Sequence, residues 1–132
     1  MMKDMFHENR SKYGFDETIE RLEEIVSSKG WRITYTHDMQ ETMTKNGYSV
    51  LPVKVVELCN PAYASRILSD DTLRIYSNMM PCRISVYEKS DGHTYISRMN
   101  NGAMAGMIGG VVKEVMSGAY QDAEAFVAEL SE

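Results

Sequence analysis

Residues 79–99 read Met-Met-Pro-Cys-Arg-Ile-Ser-Val-Tyr-Glu-Lys-Ser-Asp-Gly-His-Thr-Tyr-Ile-Ser-Arg-Met, two alternating runs on either side of a stretch with turn chemistry. Ile84 and Val86 alternate with Arg83, Ser85 and Tyr87. Residues 89–92 supply the turn, and Tyr95, Ser97 and Met99 then alternate with Thr94, Ile96 and Arg98. The pattern predicts a β-hairpin. An even connection would set even positions of the first strand opposite odd positions of the second. One face would then carry Cys82, Ile84, Val86, Tyr95, Ser97 and Met99 and meet helices. The other would carry Arg83, Ser85, Tyr87, Thr94, Ile96 and Arg98 and meet water, a ligand or a second subunit.

Upstream of the hairpin the chain alternates helix and strand signals. Residues 1–12 are polar and methionine-rich without a clean period, so they read as a frayed arm or as a weak edge strand around residues 5–10. Phe15, Ile19, Leu22 and Val26 fall at helical spacing, with Asp16 as the expected N-cap and Gly30 as the C-terminal glycine. Trp31, Ile33 and Tyr35 alternate with Arg32, Thr34 and Thr36 as a strand. Asp38 and Glu41 have capping-box spacing, and Asn46 with Gly47 stops that short helix after two turns. Leu51, Val53, Val55, Val56 and Leu58 form the next strand, with Pro52 confined to its start or to an edge. Asn60 then caps a helix that opens with Pro61 and turns Tyr63, Ala64, Ile67 and Leu68 inward.

Downstream, Asn100 is placed to cap another helical segment. A longer helix is expected over residues 110–130, with Val112, Val115, Ala119, Ala123, Phe126 and Leu130 on one stripe. Gly102, Gly106 and Gly110 recur at every fourth position, permitting close backbone contact while weakening the helix. The pattern as a whole is α+β, with a mainly antiparallel sheet whose apolar face includes Ile84, Val86, Val53 and Val55 and is covered by the first and last helices.

Length and charge restrict the function classes. A chain of 132 residues that is 43% apolar reads as a single domain spanning residues 1–132, large enough to bury a core without disulfides or metals. A formal charge of −5 disfavours nucleic acid, which calls for a basic footprint. The longest uncharged stretch, residues 99–112, is too short and glycine-rich to span a bilayer, so no membrane partner is expected. With two cysteines and no charged start followed by an apolar run and cleavage site before Phe15, the expectation is a soluble cytoplasmic protein.

Phe15-x-Glu17-Thr18 at the first helix, Glu57-Leu58-Cys59-Asn60-Pro61 at a strand-to-helix junction, and Met80-Pro81-Cys82 running into Ile84-Ser85-Val86-Tyr87-Glu88 together resemble the bacterial and archaeal family known as domain of unknown function 302. The resemblance covers essentially the whole chain from Glu8 onward. It implies an α+β fold similar in layout to a TATA-binding-protein repeat, with a curved antiparallel sheet and helices on one face. It also implies a homodimeric habit, and no established activity.

The candidate site residues are Cys59, Asn60, Cys82, Arg83 and Arg98. If the strand ending near Leu58 pairs antiparallel with the one starting at Pro81, Cys59 and Cys82 meet at neighbouring strand ends beside a helix N-terminus. Both are expected to point to the helix-covered side. They read either as a redox or soft-metal pair, with Met79, Met80 or Met99 as thioether ligands, or as two small buried hydrophobes. Arg83 and Arg98, with Tyr87, could hold a small anion on the open face, or they could pair with acidic side chains. His37 and His93 fall at the opposite end of the sheet, where they are either a minimal zinc pair or turn residues. Met99, Met104 and Met107 cluster in sequence and are gap-fillers before they are ligands. No Ser-His-Asp order, P-loop or dinucleotide fingerprint is present, so no catalytic residue, cofactor or metal is assigned. The reading is a non-catalytic module that binds a small anionic or apolar ligand, or another protein, as a homodimer. The alternative is a thiol-dependent redox or soft-metal protein using Cys59 and Cys82.

Overall fold

The computed structural model describes residues 5–132. Five strands form one open antiparallel sheet in the order β1-β5-β4-β3-β2. They are β1 (Phe6–Arg10), β2 (Arg32–Asp38), β3 (Val53–Cys59), β4 (Cys82–Glu88) and β5 (Thr94–Met99). Helices α1 (Phe15–Ser28), α2 (Met39–Lys45), α3 (Pro61–Leu68), α4 (Asn101–Ile108) and α5 (Gly110–Leu130) connect and cover them, and a 3-10 turn over Arg74–Met79 links α3 to β4. The α+β class and the antiparallel sheet are as the residues predict.

The local signals account for most element ends. The Asp38 carboxylate accepts from the Glu41 backbone N–H at 3.0 Å and starts α2, and Asn60 Oδ1 accepts from Ala62 N–H at 3.0 Å ahead of Pro61 to start α3. Asn100 caps α4 through Ala103 N–H. Gly30 and Gly47 follow α1 and α2 at φ 79° and 85°, a region that favours glycine. One cap differs: α1 begins at Phe15 with Gly14 as its N-cap, and Asp16 lies in the first turn, where its charge still suits the helix dipole.

The hairpin forms, but its parity is not the expected one. Ile84 pairs with Arg98, Val86 with Ile96, and Glu88 with Thr94. The connection over residues 89–93 is therefore odd, closed by Lys89 N–H to His93 O and by Gly92 at φ 82°. An odd connection puts even positions opposite even positions. Thr94, Ile96 and Arg98 thus share the helix-covered face with Ile84 and Val86, whereas Tyr95, Ser97 and Met99 lie on the open face with Arg83, Ser85 and Tyr87.

Two further strands depart from simple alternation. Between Ile33 and Tyr35 a bulge at Thr34 shifts the register of β2 against β3, which moves Tyr35 to the open face, where it is 59% exposed. In β3 the apolar run fits either face. Val56 and Leu58, fully buried opposite Ile84 and Cys82, take the core side, so Val53 and Val55 lie on the open face and not, as expected, on the covered one.

The main core sits between the covered face and α1 and α5, built from Leu22, Val26, Val56, Ile84, Val86 and Phe126 among others. A second, smaller core of Ile67, Ala105, Val112, Val115 and Met116 lies under α3, α4 and the start of α5. Gly118 lets α5 approach α3 closely, because a Cβ there would stand 3.0 Å from the Tyr63 ring. The weakly patterned start is a true edge strand: β1 pairs with β5 from Phe6↔Met99 to Arg10↔Tyr95. Residues 1–4 of the expected arm lie outside the described residues. No helix among the described residues is long and apolar enough to cross a membrane.

Candidate functional site

The sheet end opposite the hairpin turn gathers most of the predicted site residues. Leu58 pairs with Cys82, so Cys59 and Cys82 are diagonal neighbours on adjacent strands, and both are free thiols. They border one small cavity of about 30 Å3 with Asn60, Met80, Tyr63 and Met116. Their sidedness is split. Cys82 continues the covered parity of Ile84 and Val86 and packs against the main core, whereas Cys59 continues the open parity of Val53, Val55 and Glu57. The expectation that both point to the covered side therefore fails, because the core side of β3 is Val56 and Leu58. Burial, with a smaller contribution from nearby Cys59, pushes the Cys82 thiol up to about 11.

The cavity wall is fixed by a shared acceptor. Trp31 Nε1–H and Tyr63 O–H each donate to Asp122 Oδ2 at 3.1 Å, and the Trp31 ring meets Phe126 edge-on at 5.8 Å. Outside this wall lie two open clefts of about 440 and 480 Å3 that share Cys59, Ala64 and Leu68. Tyr35, Glu57 and Met80 are among the other walls of the first, and Pro61, Ser65 and Ser69 complete the second. On the other side of Pro81, a cavity of about 200 Å3 is bordered by Met79, Cys82, Arg83, Met99 and Met104 with two asparagines.

Arg83 is on the open face, and its Nε–H donates to Glu57 Oε2 at 3.3 Å. The other Glu57 oxygen contacts His37 Nε2 at 2.6 Å, and this bond, ahead of the Arg83 contribution, holds the Glu57 carboxyl below its ordinary range. Arg98 does not join this end. The odd hairpin connection puts it on the covered face, its side chain 9% exposed, forked onto Glu124 at 2.6 and 2.7 Å and donating to Asn9 at 2.5 Å. His37 is committed to Glu57 and His93 is an exposed turn residue. The described residues contain no group of three or more His, Cys, Asp or Glu placed to hold a metal ion. Met99 and Met104 border the same cavity, whereas Met107 is 87% exposed and does not line it.

Sequence reasoning missed Ala64 and Leu68 as cleft walls, and Tyr35, Met116 and Asp122 altogether as parts of this end. Met116 and Asp122 come from α5, far along the chain, and no local pattern announces them.

An open antiparallel sheet covered by α1 and α5, with several of its cavities at one strand end, defines a small α+β domain. The chain belongs to the family described as Domain of unknown function DUF302, which it matches over residues 7–130. It is similar to the crystal structure of an uncharacterized conserved protein DUF302 from Bacillus stearothermophilus, with 25% identity, a TM-score of 0.84, and coverage of 96% of this chain and 98% of that one. No curated protein matches.

Proposed function

We propose that this domain is a non-catalytic binding module whose ligand is small and mainly apolar, held in the clefts along α3. The observation that carries the reading is the pair of open clefts of about 440 and 480 Å3 sharing Cys59, Ala64 and Leu68. That size suits a small organic molecule, and a few hydrogen-bonding groups at the rim, such as Thr34 and Ser77, would orient it. An anionic ligand is less well served, because Arg83 already pairs with Glu57 and Arg98 with Glu124. The test is titration with the neutral dye N-phenyl-1-naphthylamine. Saturable fluorescence enhancement in the native protein, lost in Leu68→Arg at unchanged circular dichroism, supports the reading. No enhancement, or enhancement indifferent to Leu68→Arg, defeats it.

The module acts as a homodimer in this reading, with the open sheet face as the contact. The core-forming helices α1 and α5 pack on the opposite face, and this one carries Phe6 (51% exposed), Tyr35 and Met99. Its charges are already neutralised within the chain, as Glu57 with Arg83 and Glu8 with Lys89. Sedimentation equilibrium at micromolar concentration should give twice 15.0 kDa, falling to the monomer in Tyr35→Glu. A 15.0 kDa native species would overturn the dimer while leaving the cleft reading to its own test.

A further inference from the structure

The end of the sheet described above concentrates sulfur. Both cysteines and five of the eleven methionines, Met79, Met80, Met99, Met104 and Met116, border its inner cavities. Filling a gap requires one flexible side chain, not five, and of this set only Met116 is fully buried. Within the group, Cys59, Met80, Cys82 and Met116 share the one cavity of about 30 Å3, which is room for about a single small ion or water. Its walls are otherwise nearly all carbon, and its principal polar groups are spoken for: the Tyr63 and Trp31 donors by Asp122, and the Asn60 side chain by the start of α3.

From this juxtaposition we infer a binding site for a soft monovalent cation, copper(I), with Cys59 and Cys82 as thiolate ligands and Met80 as a thioether ligand. Thiolate and thioether donors without imidazole or carboxylate suit a soft ion and not magnesium or calcium, and three sulfur ligands, one of them a thioether, suit copper(I) better than zinc, which takes four ligands. The opposite sidedness of the two cysteines, which works against a direct disulfide bond of about 2.05 Å, is less of an obstacle here. An ion between them separates the sulfurs by two metal–sulfur bonds, each about 2.3 Å for a thiolate on a filled-shell ion such as zinc. Binding is a ligand exchange without redox change: two S–H bonds break and both protons go to solvent, the copper(I) bonds to its previous ligands (the chelator's nitrogens in the test below) break, and three Cu–S bonds form, two to thiolates and one to the Met80 thioether. The resulting extra negative charge lies near the N-terminus of α3, whose dipole favours it.

This site shares Cys59 and Met80 with the clefts along α3, and the test tells the two readings apart through Leu68, which borders only the clefts. Reduced protein is titrated anaerobically against the copper(I) complex of bathocuproine disulfonate. The native chain should withdraw one equivalent. Cys59→Ser and Cys82→Ser should each weaken binding by more than about a hundredfold, beyond the 10–100-fold that even outer-shell partners cost, and Met80→Leu by about tenfold. Leu68→Arg, which blocks the clefts but does not border the small cavity, should bind copper(I) normally. Failure to compete with the chelator, a stoichiometry above one spread over exposed methionines, or full retention of affinity in either serine variant would overturn the inference. Should a serine variant fail to fold, copper-edge X-ray absorption of the loaded native protein decides: a shell of two or three sulfurs supports the site, and nitrogen or oxygen ligands refute it.

Discussion

At the turn end of the open face, polar side chains are tied to one another. Tyr87 and Lys89 both donate to the Glu8 carboxylate, Tyr95 O–H and His93 N–H donate to Asp91 at 2.5 and 2.9 Å, and Lys89 Nζ sits 4.2 Å over the Tyr95 ring. At the opposite end Cys59, Met80, Pro81 and Cys82 border empty volume, and the few polar groups serve helix starts and walls. The difference teaches where binding can happen. A saturated polar network offers a ligand nothing that it would not first have to break, whereas soft and apolar walls with room between them lose nothing when filled.

The largest effect that would sharpen this contrast comes from two truncations on one strand and one face. Ile84 is 1% exposed in the solid part of the core, and Ile84→Ala should cost about 2–5 kcal/mol by transfer and cavity terms together. Cys82, two residues away toward the open end, already borders a void. Cys82→Ala removes one heavy atom and should cost only about 1 kcal/mol. Urea unfolding of the two variants measures both, and equal losses would mean that the sulfur end is packed as tightly as the rest.

Thiol reactivity gives the next effect. With the Cys82 thiol at about 11 against an ordinary value of 9.0, its thiolate population at neutral pH is lower by roughly two orders of magnitude. Alkylation of Cys82 by iodoacetamide in metal-free native protein should be slower than that of a free thiol by at least this factor, rising with pH up to about 11. Rapid labelling of Cys82 at pH 7 would show that the cavity is wet and open, and would erase the distinction between inner cavity and outer cleft.

How much of this was legible follows the range of the interactions. The caps at Asp38 and Asn60, the glycines at 30 and 47, and the bounds of α5 were readable because each is settled within one helical turn. The neighbouring of Cys59 and Cys82 was readable too, since antiparallel pairing of two strand ends requires it. Sidedness was not. One residue in the hairpin connection decides whether Arg98 or Met99 faces the core, one bulged residue moves Tyr35 outward, and β3 carries valines on both faces, so its orientation is set by what β4 offers it. The cleft walls from α3 and the cavity wall from α5 meet only after packing, which no spacing in the chain encodes.

The smallest predicted effect tests the turn end itself. Glu8 lies on the edge strand β1, and its hydrogen bonds, from Lys89 first and Tyr87 second, hold its carboxyl below the ordinary 4.5. A carboxylate whose folded pKa is depressed adds stability that is fully present above its unfolded value and is lost as pH falls through its folded value. The Glu8 and Lys89 side chains are 39% and 45% exposed, so screening limits the contribution to roughly 0.2–1 kcal/mol. Glu8→Gln should therefore lower the melting temperature slightly at pH 7, and the two melting curves should converge as pH drops below about 4.5. The gap should also shrink in 1 M salt, where the Debye length is only about 3 Å. Amide exchange in β1 should quicken in the variant while β3 and β4 stay protected, because this contact fastens the edge and not the centre. A gap that stays constant with pH, or one that salt leaves untouched, would show that β1 is held by its backbone ladder alone. The polar network of the turn end would then be incidental to it.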